Sequence, residues 1–261
     1  MLDFEKTLYD RLTTRKVDFA YGTGLFTDEV PFKYDVNVLR VEDSPEVTAE
    51  ELAAEADRLM DDDIYEHRRV IVNDALLGAE LQAGFADLGW KHTRYVWMEH
   101  VRPAPGRARG EGFEMENTAH IVTKEIFNRR EPYSARDDVV KQMARSDEMI
   151  AAVTLRRGFA VRHGGVIASI CETYSDGTIG QIEDVATLEE YRGKGFGTEV
   201  VLTALEALQR ANHELIFLVA DDDDWPKAFY EKLGFEEVGI TYQFIRLPDF
   251  AERALEERRA T

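Results

Sequence analysis

The chain has 261 residues, 44% of them apolar, which suffices for one large domain or two ordinary ones and argues against disorder. Its net charge is −19, and both the first 100 residues (22 acids, 11 bases) and the remainder (29 acids, 21 bases) are acidic, so a nucleic-acid partner is disfavoured. The single cysteine, Cys171, excludes an intrachain disulfide and a thiolate metal cluster, and the histidines lack metal-ligand spacing. The apolar runs are too short for a membrane span and the N-terminus does not resemble a signal peptide, so we expect a cytoplasmic protein without a membrane partner or a metal.

The first part of the chain predicts a sheet with helices. VNVLRV (36–41) and RRVIVN (68–73) are rich in strand formers, and Ser44-Pro45 is typical of a helix start. FADLGWKHTRYVW (85–97) reads as the end of a helix, a glycine and then a strand.

A break in composition follows. VRPAPGRARGEG (101–112) contains two prolines, three glycines and three arginines, which indicates a linker over 103–111. We therefore predict a division into 1–102, 112–247 and a C-terminal tail, 248–261.

The second part predicts a meander followed by alternating helices and strands. Short Gly-containing connections separate three strand patterns at 153–162, 166–174 and 178–187. The later elements predicted from periodicity and from turn residues are a helix at 196–211, a strand at 215–220, a helix at 225–234, a strand at 241–247 and a terminal helix at 249–259.

The two parts share a pattern. Residues 85–97 align without gaps on YEKLGFEEVGITY (230–242), and Leu-Gly-aromatic recurs at 88–90 and 233–235. The alignment favours an internal duplication, although helix–glycine–strand punctuation is also a common turn. The copies are unequal, because no glycine-rich loop precedes the first one and Phe85 stands where the second has Tyr230.

EYRGKGFGT (190–198) places three glycines and two cations between a strand and a helix. Glycines allow a ligand close to the backbone, and the amides at a helix N-terminus favour an anion such as phosphate. Arg192 and Lys194 add positive charge. The loop matches neither a Walker A motif nor a Rossmann fingerprint.

This loop, followed by W-P-x-x-F-Y-x-x-x-G-F at 225–235, resembles the GCN5-related N-acetyltransferase (GNAT) superfamily. The resemblance implies an α+β, three-layer fold with a mixed, mostly antiparallel sheet flanked by helices, in two tandem domains of which the first is degenerate. It also implies acetyl-CoA as acyl donor. Backbone amides of the loop would bind the diphosphate, the end of the third meander strand would pair with the pantetheine arm, and Asp223 stands where many relatives carry an Asn that contacts the cofactor. The implied cofactor-binding residues are Val185, Ala186, Thr187, Arg192, Gly193, Lys194, Gly195, Phe196, Gly197, Thr198 and Asp223.

The same resemblance suggests two catalytic residues. Tyr230 is the candidate acid for the leaving thiolate, and its alternative role is that of a core aromatic residue. Glu183 is the candidate base, and its alternative is an ordinary ion-paired carboxylate. Strand alternation predicts that Glu183 and Asp184 point to opposite faces, so that only one faces the substrate.

The sequence therefore predicts an N-acetyltransferase that acts on a primary amine of a small cationic molecule, such as a polyamine or an amino sugar, in a ternary complex. A protein or peptide amine and a non-catalytic acetyl-CoA sensor remain as alternatives. The acidic surface would attract a cationic acceptor, and its alternative role is solubility alone. The oligomeric state is left open between monomer and homodimer. Cys171 is expected to be a small buried apolar residue.

Overall fold

The computed structural model describes residues 1–43, 46–60, 63–104, 106, 108, 110–130, 136–222 and 226–253. In the first half the elements are α1 (Leu2–Leu12), β1 (Arg15–Phe19), β2 (Gly22–Phe26), β3 (Val38–Val41), α2 (Ala49–Leu59), β4 (Arg68–Val72), α3 (Ala75–Asp87) and β5 (Lys91–His100). In the second half they are β6 (Gly112–Met115), α4 (Asn117–Asn128), α5 (Asp137–Val153), β7 (Arg157–His163), β8 (Val166–Ser175), β9 (Ile179–Thr187), α6 (Phe196–Arg210), β10 (Leu215–Asp221), α7 (Pro226–Glu231) and β11 (Phe235–Arg246).

These strands form one mixed sheet in the order β1-β2-β3-β4-β11-β5-β10-β9-β8-β7-β6. The pairs β3–β4 and β9–β10 are parallel, and the other neighbouring pairs are antiparallel. The predicted α+β class with a mostly antiparallel sheet is confirmed.

Helices cover both faces of the sheet, which gives the predicted three layers. Val96 and Leu218 pack with α6 in one apolar cluster, whereas the alternating residues Trp97 and Phe217 pack with α1 and α5 in another. Because alternate residues of a strand face opposite sides, α6 and α1 lie on opposite faces. We call them the α6 face and the α1 face. Helices α2, α3 and α7 lie on the α6 face as well. Ile240, the cross-strand partner of Val96, packs both against the apolar cluster that contains α6 and α7 and against the cluster that contains α2 and α3.

The two halves exchange their last strands. β5 ends the first half but pairs with β10, and β11 ends the second half but pairs with β4. The two exchanged strands also pair with each other at the centre of the sheet. The halves therefore share one sheet, a feature that the prediction of two tandem domains did not include.

The register between β5 and β11 agrees with the alignment found in the sequence, in which residue 85 corresponds to 230, an offset of 145. Tyr95 pairs with Thr241 and Val96 with Ile240, and adding 145 to 95 and 96 gives 240 and 241. The two segments are thus related by an approximate two-fold axis that passes between these pairs.

Several predicted boundaries need correction. Val153 belongs to α5 rather than to a strand, and the helix ends with the Thr154 amide donating to the Ile150 carbonyl, so β7 starts only at Arg157. The last strand begins at Phe235, six residues before its predicted start, because Phe235 is fully buried and pairs with His100.

Two predicted helices are described only in part. Ser44-Pro45 lies outside the described residues, and α2 begins later, after its N-cap Thr48. The predicted terminal helix is helical over 249–253, and its remainder also lies outside them. Among the described residues, no helix combines the length and the apolar character needed to cross a bilayer.

The contact between α3 and β11 joins the halves and generates a prediction. A Cβ atom added at Gly78 would lie 2.3 Å from the Tyr242 ring. We expect Gly78→Ala to lower the melting temperature, because overpacking costs about 1–3 kcal/mol and exceeds a gain in helix propensity of about 1 kcal/mol. Gly106→Ala, with nothing within 4 Å of its added Cβ, is the control. Equal melting temperatures in calorimetry would contradict this packing.

Candidate active site

The site is centred where β9 separates from β10. Their parallel pairing ends at Phe217–Gln181, although β9 continues to Thr187 and β10 to Asp221. In the first half the pairing of β3 with β4 runs to Val41–Val72. Val72 pairs with Tyr242, and Val219 pairs with Trp97. Since Trp97 and Tyr242 are aligned in the internal repeat, Val72 corresponds to Val219, which lies two residues beyond Phe217. The pairing of the two parallel strands therefore ends earlier in the second half, which leaves an opening between β9 and β10.

The free edge of β9 beside this opening consists of Val185, Ala186 and Thr187. On its other side β9 stays paired with β8, through Ile170 opposite Ala186 and Ser169 opposite Thr187. The Ser169 hydroxyl donates to the Ala186 carbonyl at 2.9 Å. β8 thus fixes this end of β9, while the edge that faces the opening lacks a strand partner among the described strands. Such an edge can pair with an amide of an extended ligand.

The glycine-rich loop forms the turn between β9 and α6. Gly193 and Gly195 have φ angles of 71° and 87°, a region that favours glycine. Gly195 is the N-cap of α6 and supplies no side-chain cap. The amides of the first turn, which includes Phe196, Gly197 and Thr198, therefore receive no cap from that residue, which suits an anionic ligand.

The two cations of the loop are exposed. The Arg192 Nε donates to the Thr187 carbonyl at 3.2 Å, and the Lys194 Nζ donates to the Glu190 carbonyl at 2.7 Å. Both side chains fold back on the loop and leave their positive charge near the start of α6. Asp223, the remaining residue of the predicted cofactor set, lies outside the described residues.

The corresponding helix of the first half, α2, has a different N-terminus. The Thr48 hydroxyl accepts from the Glu51 amide at 3.2 Å, and the Glu51 carboxylate accepts from the Thr48 amide at 2.9 Å. This capping box occupies backbone donors, and Glu50 and Glu51 place negative charge where a phosphate would bind. The start of α6 is therefore suited to bind an anion, whereas the start of α2 is not.

A bulge in β9 overturns the expected alternation of Glu183 and Asp184. Glu183 pairs with Glu172, but Ala186 pairs with Ile170, so one extra residue is inserted in β9. Asp184 has a φ of 50° there. Its carboxylate reaches the Lys124 Nζ, which also binds Glu172, the cross-strand neighbour of Glu183. The side chains of Glu183 and Asp184 thus both lie on the α1 face.

Glu183 lies at the opening on the α1 face. Its carboxylate accepts a hydrogen bond of 2.5 Å from the Gln181 amide. Burial, followed by the nearby acids Asp184, Glu5 and Asp35, holds its pKa well above the usual range of a glutamate. A carboxylate with a raised pKa is a stronger base near neutral pH.

Residues of the first half lie near Glu183 on the α1 face of the opening, and we refer to this region as the cleft. Glu5 of α1 lies near Gln181 and Glu183, and burial together with Asp35 raises its pKa to about 7. Burial also disfavours the charged form of Asp35, but Arg69 and Lys33 prevail and lower its pKa. The Arg69 Nη1 and the Lys33 Nζ lie 2.5 and 3.1 Å from its carboxylate oxygens. The Asp35 side chain remains 40% exposed, which indicates a recess rather than a closed core.

A buried ion cluster continues from this cleft toward α4 and α5. The Lys124 Nζ, 7% exposed, lies 2.6 Å from Asp147, 2.9 Å from Glu172 and 2.6 Å from Asp184. Glu172 also accepts hydrogen bonds from Arg156 and the Tyr174 hydroxyl. Burial lowers the pKa of Lys124, but Asp184, Glu172 and Asp147 reverse this effect and hold it well above normal.

Tyr230 lies on the α6 face of the same opening. It is 9% exposed and packs with Phe229 and Phe235, at ring-centroid distances of 5.0 and 6.0 Å. Burial and the charge of Glu183 raise its pKa, so it keeps its proton at neutral pH. Cys171 is fully buried, as predicted, and burial raises the pKa of its thiol.

A groove of about 660 Å³ lies elsewhere, between His100–Ala104 and Leu202–Arg210 of α6. None of the candidate site residues that the structure describes lines it. Its location does not match the chemistry of the opening, so we do not assign the site to it.

Sequence reasoning missed the charged residues of the α1 face, and one of them left a signal. Lys124 falls on the buried stripe of α4, with His120 four residues before it and Phe127 three residues after it. A charge on a buried stripe indicates an ion-paired partner elsewhere in the fold. Glu5, Asp35 and the other partners carry no comparable mark, because they come from distant segments of the chain.

Comparison with known proteins agrees with this geometry. Residues 121–235 match the family model described as the Acetyltransferase (GNAT) family. A search of curated proteins gave no match.

Solved structures with the same fold extend over most of the chain. A functionally unknown conserved protein from Staphylococcus epidermidis is 15% identical with a TM-score of 0.65, covering 90% of this chain and 94% of that one. A GCN5-related N-acetyltransferase from Kribbella flavida is 16% identical with a TM-score of 0.55, covering 92% and 91%. A tandem GNAT protein from the clavulanic acid biosynthesis pathway is 16% identical with a TM-score of 0.53, covering 80% and 74%.

The chain therefore has the fold of GNAT proteins, and its second half matches their family model. Residues 121–235 thus resemble an acetyltransferase domain of the GNAT family, and this similarity supports an acetyl-CoA-dependent N-acetyltransferase.

The loop geometry predicts the effect of a single methyl group. Gly193→Ala places a Cβ on a backbone with φ of 71°, so we expect the turn to shift and the affinity for acetyl-CoA to fall at least ten-fold in calorimetry. Gly165→Ala is the matched control, because Gly165 has a φ of 85° in the β7–β8 hairpin and open space around it. Equal losses in both variants would point to general strain instead of diphosphate binding.

Proposed function

We propose that the second half transfers the acetyl group from acetyl-CoA directly to a primary amine of a small cationic molecule, such as a polyamine or an amino sugar, in a ternary complex. The opening between β9 and β10 carries this proposal. It lies between the uncapped start of α6 on one face and Glu183 on the other, so it could serve as the passage through which donor and acceptor meet. The donor would enter from the α6 face and the amine from the α1 face.

The chemistry requires a neutral amine, a stabilised oxyanion and a protonated leaving group. An alkylamine with a pKa of about 10 is neutral in about one molecule per thousand at pH 7. Glu183 accepts the ammonium proton, directly or through water. The nitrogen then attacks the thioester carbonyl, the C–S bond breaks as the tetrahedral intermediate collapses, and Tyr230 protonates the departing thiolate. The second proton lost by the nitrogen passes to the Tyr230 phenolate, directly or through solvent, which restores the tyrosine. Such acid–base groups typically contribute about 10²–10⁴-fold in rate.

The charge of the cleft favours a cationic acceptor. Six carboxylates face four cations, an excess of two negative charges when all are ionised. An ammonium group would reduce this imbalance, because an opposite charge offsets the cost of buried like charges. The carboxylates are Glu5, Asp35, Asp147, Glu172, Glu183 and Asp184, and the cations are Lys33, Arg69, Lys124 and Arg156.

We also propose a division of labour along the chain. Residues 1–102 form a degenerate GNAT-like half that shapes the acceptor cleft, 103–111 link it to the catalytic half 112–247, and 248–261 form a tail. The parallel pair β3–β4 and the capped start of α2 support the degenerate assignment.

Thiol release from acetyl-CoA in the presence of polyamines, aminoglycosides, amino acids and peptides tests the proposal. We expect turnover with at least one small amine, and we expect Tyr230→Phe to lose about 10²–10⁴-fold in kcat while it retains acetyl-CoA affinity. Tyr242→Phe, at a buried tyrosine of β11, is the matched control. Full activity of Tyr230→Phe removes the acid assignment, and binding of acetyl-CoA without turnover of any amine favours a sensor.

The base assignment predicts a pH dependence. The pKa of Glu183 is raised. As the pH drops through that pKa, the carboxylate gains a proton and can no longer act as a base, so kcat/KM of the wild type should fall. Glu183→Gln should have a lower rate without this limb. Glu189→Gln, at an exposed glutamate, should keep the wild-type profile. A limb that persists in Glu183→Gln belongs to another group.

A further inference from the structure

A lysine of α4 ties the bulge of β9 to two other elements. The ammonium group of Lys124 contacts one carboxylate each from α5, β8 and β9, at 2.6, 2.9 and 2.6 Å. One oxygen of each of these carboxylates lies within 4.8 Å of the others. An ammonium group has three N–H donors, so each contact can use one of them. The partners are Asp147, Glu172 and Asp184.

Of these three partners, Asp184 depends most on the lysine. Asp147 and Glu172 are 5% and 0% exposed and are fixed by their packing, whereas the Asp184 side chain is 43% exposed. Asp184 also adopts a φ of 50°, which a residue other than glycine holds only when its surroundings impose it. Lys124 is the first cause of the lowered pKa of Asp184, which agrees with this close contact.

We infer that Lys124 is a positioning residue for acetyl transfer, an inference that rests on the function proposed above. It holds Asp184 in the bulge and thereby fixes the positions of the residues on either side of it. Glu183 precedes the bulge and faces the acceptor cleft, and Val185 follows it and begins the free edge of β9. Lys124 contacts neither the acyl donor nor the acceptor in this arrangement.

The same contact has an electrostatic effect on the base. Loss of the lysine charge removes the cation that offsets Asp184 and Glu172 beside Glu183 and should raise the pKa of Glu183, whereas loss of the Asp184 charge should lower it. A purely structural defect would not shift the pH profile in opposite directions. Besides Lys124 and its partners, the titratable and charged groups that the described residues place near Glu183 are Glu5, Tyr9, Lys33, Asp35, Arg69, Tyr174 and Tyr230.

Four variants of the full chain test the inference. We expect Lys124→Met to lower kcat/KM at least ten-fold and to move the acidic limb to higher pH, and Asp184→Asn to lower kcat/KM and move the limb to lower pH. Lys124→Arg keeps the charge and should restore the wild-type limb. Lys141→Met removes a lysine that is 72% exposed on α5 and should match the wild type.

A binding experiment separates this inference from the proposed function. In calorimetry, Lys124→Met and Asp184→Asn should weaken acetyl-CoA binding at least ten-fold but leave ADP binding within two-fold, because ADP has the diphosphate without the pantetheine arm. This comparison decides the inference even if the wild type turns over no amine, a result that would contradict only the proposed function.

The opposite outcomes overturn the inference. They are an unchanged pH limb and acetyl-CoA affinity in folded Lys124→Met, or equal losses of acetyl-CoA and ADP affinity. If Lys124→Met does not fold, Lys124→Met/Asp147→Asn removes one charge of each sign and should show the same losses. If that variant also fails to fold, Asp184→Asn decides alone, and wild-type acetyl-CoA affinity in it refutes the inference.

Discussion

The separation of β9 from β10 is the constraint on which the rest of the site depends. Backbone groups at a sheet edge need hydrogen-bond partners, and beyond Gln181 no neighbouring strand of the described sheet supplies them on that side. An extended ligand that carries amides can do so. Because α6 begins just after β9, the same few residues present the strand edge and the uncapped helix start. The proposed donor site and the opening between β9 and β10 therefore arise from the same local separation of the strands.

The α1 face shows why the first half is retained although its own helix start is blocked. Phe4 of α1 packs on Phe217, the last residue of β10 that pairs with β9. This contact places Glu5 beside the opening, and the turn before β3 adds Asp35. A half that does not hold the diphosphate can still set the charge and the shape of the acceptor cleft. Under the proposed function, residues 1–102 thus contribute to the acceptor cleft of the second half.

Much of the fold, and part of the site, could be predicted from local patterns. The glycine-rich loop, helix α6 and the apolar strand β10 are encoded by neighbouring residues, and their boundaries were nearly correct. Non-local features could not be predicted. The bulge at Asp184 depends on its pairing with β8, and the cluster around Lys124 joins residues 23 to 60 positions apart. The strand exchange could not be predicted either, because the alignment showed that residues 85–97 and 230–242 are similar without showing which strands they pair with.

The exchanged strands have a consequence for how the chain folds. β5 needs β10 and β11 as neighbours, so its place in the sheet is completed only after residues far along the chain have been synthesised and have paired. Neither half holds a finished sheet while the other is unfolded. Contacts of such long sequence separation slow folding and couple distant regions into one cooperative transition. The chain should therefore melt as a single unit despite its internal duplication, and a ligand bound at α6 should protect α3 from amide exchange as strongly as it protects α7.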